Sequence, residues 1–232
     1  MVRHREAYKT WGDVFDQATD RALQHLISGG YMDGLHSPIK VGKEANVFLA
    51  LKGEETVVVK IYRTSTCDFN RMYEYMKGDP RFGGLVKKRR KVVFQWAQRE
   101  YRNLLIAHKA GIRCPVPHAA RDNILVMDLI GDESVAQQLI SQPPKNPKKF
   151  YEDVVRQMKL LHNVRLVHAD LSPYNILNDN EKAVFIDMSQ ATTYDNPNWE
   201  RFFERDIKNV AAHFKRIGVD TDAEHLRKAI LK

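Results

Sequence analysis

The chain has 232 residues, 43% of them hydrophobic and 28% charged, and a formal net charge of +8. That apolar content suffices for one large domain or two small lobes and excludes global disorder, while two cysteines without CxxC spacing, Cys67 and Cys114, exclude a disulfide framework and a cysteine-rich zinc site. The positive balance fits polyanionic partners such as nucleotides, nucleic acid or an acidic membrane surface, and it fits plain solubility equally well.

The opening MVRHREAYKTWGD carries charges and no apolar core, so it does not read as a signal peptide, and no window nears the ~20 apolar residues of a membrane span. A soluble cytoplasmic protein with no membrane contact is expected. Residues 11–27 have helical spacing (Trp11, Val14, Phe15, Ala18, Ala22, Leu26), stopped by Gly29 and Gly30. The period then changes. Val47–Leu49 and Val57–Ile61 read as two strands of a hairpin around Lys52–Glu55. Residues 64–91 have weak periodicity and include GDPRFGGLVKKRRK, which predicts a mobile excursion. A helix is predicted over about 92–109, with Val93, Trp96, Ala97, Tyr101, Leu104 and Leu105 on one stripe. ILVMDLIG reads as a buried strand, SQPPKNPKK as a surface loop, and Phe150, Val154, Val155, Met158 and Leu161 as the inner face of the next helix. ILNDNEKAVFID predicts a hairpin, and Phe203, Ile207, Val210, Phe214 and Ile217 a last major helix ending at Gly218.

Several polar residues sit where this pattern wants apolar ones. Lys60 ends the run Val57–Val59, where it either meets an anion or lies on an edge strand facing water. Glu100 falls in register with the inward stripe of its helix, and a buried carboxylate needs a cation; Lys60 is the natural partner, and a rim arginine is the plainer one. A strand lysine paired with a helix glutamate is how protein kinases hold the α- and β-phosphates of ATP. His168-x-Asp170-x-x-x-x-Asn175 has the spacing of a kinase catalytic loop, in which Asp170 takes the proton of the acceptor hydroxyl and Asn175 offers a neutral oxygen to Mg²⁺. Twelve residues on, Asp187 ends VFID and supplies the anionic oxygen that a phosphate-bridging cation needs. Each of these also fits a turn or a cap. His168 is expected to hold the loop by hydrogen bonds, and Asp206 to accept backbone N–H groups from it. Gly42-Lys43-Glu44-Ala45-Asn46 lets backbone N–H groups approach a phosphate, but taken alone it is an ordinary turn.

With GKEANV (42–47), VVVKIYRTST (57–66), RMYEYMKGDPRF (71–82), REYRNL (99–104), LVHADLSPYNIL (166–177) and VFIDMSQA (184–191), the sequence resembles the RIO kinases, atypical serine/threonine protein kinases, and within them the type-1 subgroup with an archaeal-like end. The likeness runs over about residues 5–220. It implies an α+β, two-lobed protein-kinase-like fold: an N-terminal helical extension over 1–35, a small β-rich N-lobe over 36–130 with a mobile loop near 64–91, and a mainly helical C-lobe over 131–232. It implies ATP and Mg²⁺ or Mn²⁺ as cofactors. Asp170, Asp187 and Lys60 would be catalytic. Gly42, Lys43, Glu44, Lys60 and Glu100 would serve the phosphates, Met127 would stand behind the adenine, and backbone groups of Asp128 and Ile130 would hold it. Asn175 and Asp187 would bind metal, and Asp187 would also accept phosphate. The implied partners are a Ser/Thr protein substrate and the pre-ribosomal small subunit with its rRNA; the basic run Lys87–Lys91 fits contact with rRNA phosphates and fits a solvated loop equally well. Ser65, Thr64 and Thr66 are candidate autophosphorylation sites. Lys40-Val41 stands where family members often have Ser-Thr, which removes hydroxyl contacts to phosphate.

Three other readings remain open: an ATPase switch on pre-ribosomal particles through an aspartyl-phosphate, a small-molecule kinase of the aminoglycoside-phosphotransferase type, and an inactive RNA-binding scaffold. GKEANV and KIYRTST argue against the second of these, and the intact set of Lys60, Glu100, Asp170, Asn175 and Asp187 argues against the third.

Overall fold

The computed structural model describes residues 15–132 and 135–232, so Trp11 and Val14 of the first predicted helix lie outside the described residues. The architecture is α+β, and the chain divides into two interleaved compact units. The first comprises Met1–Lys77, Gly84–Tyr101 and Val116–Leu129; the second comprises Gly78–Gly83, Arg102–Pro115 and Ile130–Lys232.

In the first unit, helix α1 (Gln17–Ser28) starts where the Asp16 side chain accepts the N–H of Thr19 and ends at Gly29, followed by Gly30 at φ 72°. Strands β1 (Gly34–Val41), β2 (Ala45–Lys52) and β3 (Glu55–Tyr62) are followed by helix α2 (Phe69–Lys77) and helix α3 (Arg89–Lys109), of which residues 89–101 belong to this unit, then by β4 (Pro117–Arg121) and β5 (Ile124–Asp128). The five strands form one antiparallel sheet in the order β1-β2-β3-β5-β4. β3 is therefore central and buried on both faces. Val57, Val59 and Ile61 join Phe48, Ala50 and Val126 in a core closed by Ala22, Leu23 and Leu26 of α1. Burying each valine, leucine, isoleucine or phenylalanine of this core contributes roughly 1.5–3 kcal/mol.

Two elements were not legible in the sequence pattern. β1 is mostly exposed, so it shows no alternation, and its Pro38 is tolerated because β1 is an edge strand. Within the predicted excursion at 64–91, α2 forms by burying Met72 and Met76, one turn apart, and Tyr75 packs edge-on to Trp96 of α3.

The second unit contains β6 (Gln137–Gln138), α4 (Pro147–Asn163), β7 (Leu166–Val167), β8 (Ile176–Asp179), β9 (Lys182–Phe185), β10 (Thr192–Thr193), α5 (Trp199–Arg216) and α6 (Ala223–Leu231). α4 is capped by Asn146, with Pro147 in its first turn, and buries Phe150, Val154, Met158 and Leu161. β8 and β9 form the predicted hairpin, and Asn180 and Glu181 both take positive φ at its two-residue turn. α5 buries Phe203, Ile207, Val210 and Phe214. The further helix α6 is capped by Asp222 and held by Leu226 and Ile230, which lie one turn apart.

Candidate active site

The first unit presents a buried ion pair. Lys60 pairs with Val47 of β2 on one side and Leu125 of β5 on the other, which rules out the edge-strand alternative. Its neighbours Val57, Val59 and Ile61 enter the α1 core, so strand alternation turns Val58, Lys60 and Tyr62 to the other face. Lys60 Nζ lies 2.9 Å from Glu100 Oε1, and Lys60 is 7% and Glu100 1% exposed. Tyr62 Oη donates to the second oxygen, Glu100 Oε2. The carboxylate thus receives a donor on each oxygen, as a buried charge requires. Tyr62 was missed, since an aromatic residue on a strand reads as packing.

The Gly42–Asn46 turn closes on itself: Gly42 N donates to Ala45 O at 3.0 Å, and a Cβ at Gly42 would lie 2.8 Å from that oxygen, so only glycine fits. Lys43 and Glu44 are exposed. The turn is tied down from KIYRTST: Arg63 N donates to Glu44 O at 2.9 Å, and Thr66 Oγ1 donates to Lys43 O at 3.3 Å. Met127 lies opposite Val58 on β5. The Asp128 N–H is committed to Val116 O, and the Asp128 carboxylate accepts from His118 Nε2 at 2.7 Å. In the second unit, Ile130 O accepts the N–H of Ala136.

The second unit holds the carboxylate site on irregular backbone. Ala169, between His168 and Asp170, sits at φ 65°, a left-handed conformation costly for a residue with a Cβ. It is held there from α5. Asp206 accepts Ala169 N and Leu171 N, each at 2.8 Å, one on each carboxylate oxygen, Arg205 donates to Ala169 O, and Asn209 donates to Leu171 O. Burial pushes the Asp206 carboxyl up to about 8, opposed by those two N–H groups. His168 Nε2 donates to Ile186 O at 3.0 Å, joining the loop to the segment before Asp187. The predicted holding roles of Asp206 and His168 are thus what the geometry gives.

Between these braces, Asn175 Nδ2 donates to Asp170 O at 2.9 Å and is 3.3 Å from Asp170 Oδ2. Using its amide nitrogen this way leaves the carbonyl oxygen Oδ1 as the group it offers to a cation. Asp187 lies two residues past β9 at φ 60°, and Ser189 Oγ donates to its Oδ1 at 2.6 Å. Gln190 Nε2 donates to Asp170 Oδ2 at 3.0 Å. The sequence pattern marks neither Ser189 nor Gln190, since a serine and a glutamine are ordinary turn residues. Among the described residues, no group of three or more His, Cys, Asp and Glu side chains gathers as a metal cage. One carboxylate and one amide oxygen instead fit a hard cation such as Mg²⁺, which keeps several waters and shares its sphere with phosphates. No helix among the described residues is long and apolar enough to cross a membrane.

The chain is similar to known proteins over most of its length. The RIO domain matches residues 46–228. RIO-type serine/threonine-protein kinase Rio1 of Haloferax volcanii is 42% identical over 227 residues, 97% of this chain and 78% of that protein. Its counterpart in Methanocaldococcus jannaschii is 37% identical with the same two coverages. The Rio2 kinase–ADP/Mg²⁺-phosphoaspartate complex from Chaetomium thermophilum superposes with a TM-score of 0.68 at 22% identity, over 90% of this chain and 64% of that one, a likeness of fold. On the extent of these matches, the chain belongs to the RIO family of kinases.

Proposed function

We propose that this chain is an atypical serine/threonine-protein kinase that transfers phosphate from ATP with the help of Mg²⁺ or Mn²⁺, and that it phosphorylates itself. The observation that carries the reading is the catalytic-loop turn. A strained Ala169 is held by a buried Asp206, and Asp170 and Asn175 follow it with their side chains already joined. In this reading Asp170 orients the acceptor hydroxyl and takes its proton. Asn175 Oδ1 and the Asp187 carboxylate hold the metal, whose contribution is neutralisation of charge on the phosphate oxygens. Lys60, held in place by Glu100, whose other oxygen accepts from Tyr62, binds the α- and β-phosphates. The Gly42–Asn46 turn, with Lys43 and Glu44, covers the phosphates. Adenine stacks near Met127, and since the Asp128 N–H is already committed, Asp128 offers its carbonyl and Ile130 its N–H.

Of the three nearby hydroxyls, Thr64 is bonded to Asp16 and Thr66 to Lys43 O, while Ser65 is exposed, which favours Ser65 as the autophosphorylation site. The setting proposed is maturation of the small ribosomal subunit in the cytoplasm, with the exposed Lys87–Lys91 run meeting rRNA phosphates. The test is incubation with γ-labelled ATP, with and without small-subunit precursors, followed by location of the label. Acid-stable phosphoserine at Ser65 supports the kinase reading, and no label in any protein overturns it.

A second reading is favoured by one observation: the superposed Rio2 structure is a phosphoaspartate complex. If Asp187 accepts the phosphoryl group, ATP hydrolysis proceeds through an acyl phosphate, and the label is lost on treatment with base or hydroxylamine.

A further inference from the structure

The short 3₁₀ turn Met188–Gln190 stands out because its polar side chains converge on both carboxylates of the site. It leaves the left-handed Asp187 and is closed by Ala191 N donating to Met188 O at 3.1 Å. Its frame is pinned within the same unit. The side chain of Asn103, fully buried, donates to Met188 O at 2.8 Å and to Ala191 O at 2.7 Å, and Arg81 donates to Asn103 Oδ1 at 2.8 Å. From this anchored turn Ser189, 6% exposed, reaches back two residues to Asp187, and Gln190 reaches twenty residues upstream to Asp170.

A serine that only filled space could point its hydroxyl at any acceptor; this one donates to the carboxylate that the proposed reaction needs. Its bond fixes Oδ1 of Asp187, which sets the carboxylate plane and directs Oδ2. Gln190 does the same for Asp170, sharing Oδ2 with Asn175. Each of these bonds restrains a carboxylate about its last torsion, and a misplacement of about 1 Å at a reacting group can cost about a hundredfold in rate.

We propose that Ser189 and Gln190 are positioning residues: Ser189 sets Asp187 for the metal, and Gln190 sets Asp170 for the acceptor. This rests on the kinase reading of those two aspartates. The test uses the full chain and two readouts. Binding of Mn²⁺ in the presence of ADP is followed by the EPR signal of the free ion, and phosphotransfer is resolved into kcat and the KM for ATP. Ser189→Ala is expected to weaken Mn²⁺ binding about tenfold, as loss of an outer-shell partner does, with Ser189→Thr within about twofold of the parent. Gln190→Ala is expected to leave Mn²⁺ binding within about twofold and to lower kcat about tenfold at unchanged KM. Parent-like Mn²⁺ binding in Ser189→Ala, or parent-like kcat in Gln190→Ala, overturns the corresponding role. If threonine lowers the thermal midpoint by overfilling the turn, the alanine variant decides. Asp187→Asn separates the two levels. If it binds Mn²⁺ as the parent does, the metal assignment itself falls; if it loses the ion while Ser189→Ala keeps it, only the positioning role falls.

Discussion

The two units present their functional side chains by opposite means. In the first, Lys60 and Glu100 stand on a central strand and a long helix, at positions set by periods of 2 and 3.6, and they neutralise one another at 2.9 Å. In the second, Asp170 and Asp187 stand on backbone that no regular element imposes, next to or at left-handed residues, and are held by side chains of Asp206, His168, Ser189 and Gln190. Regular elements supply rigidity through their own ladders, so the ion pair needs few helpers. Irregular backbone has no ladder, so beyond a few turn hydrogen bonds its constraints come from side chains.

Substitutions can break this contrast, and the largest effect is expected at Asp170. Asp170→Ala should lower phosphotransfer at least about a thousandfold while leaving the circular dichroism spectrum and thermal midpoint near the parent's, because removing a general base takes away chemistry and not packing. Retained activity would remove Asp170 from the catalytic role.

Next is the ion pair. Lys60→Met leaves Glu100 buried without its cation and should cost about 3–5 kcal/mol in a urea titration. The double variant Lys60→Met with Glu100→Leu should recover most of that stability and none of the activity. Recovery of activity would mean that the pair serves the fold alone.

For the loop, Asp206→Ala strands two buried N–H groups, and at about 1–3 kcal/mol each this should destabilise the second unit measurably. The same residue carries a pH signature. Burial raises its pKa from 3.8 to about 8, so between those values the folded state holds a proton that the unfolded chain has released. The contribution is therefore fully present below about pH 4 and is lost as the pH rises through 8. Thermal midpoints of the parent should fall over that window relative to Asp206→Asn, which cannot titrate; parallel curves would show that Asp206 stays ionised in the fold.

The smallest effect is expected at Gly42. A Cβ there lies 2.8 Å from the backbone oxygen of Ala45, so Gly42→Ala has to displace the turn; it should cost about 1–3 kcal/mol in stability and raise the KM for ATP severalfold. An unchanged KM would detach this turn from the phosphates.

Legibility in the sequence followed the same division. The strands around Lys60, the helix carrying Glu100, the β8–β9 hairpin and α5 were readable because each buries a periodic stripe. β1 was not, because an exposed edge strand has no stripe, and α2 was hidden among glycines and a proline. At the site, Lys60, Glu100, Asp170, Asn175 and Asp187 stood out as polar residues inside apolar runs. Tyr62, Ser189 and Gln190 did not, since a tyrosine on a strand and a serine and glutamine in a turn are ordinary there. Only their partners, up to 38 residues away, mark them as part of the site.

The sequence by itself singled out the residues proposed to carry the chemistry and most of the elements that bear them, because spacing along a chain is enough to specify a period or a motif. The tertiary structure decided how those residues are held. It committed the Asn175 amide nitrogen to Asp170, set Asp206 under a strained Ala169 and aimed the Met188–Gln190 turn at two carboxylates. Hydrogen bonds between residues distant in the chain leave no periodic trace, and they exist only once packing has brought donor and acceptor within about 3 Å.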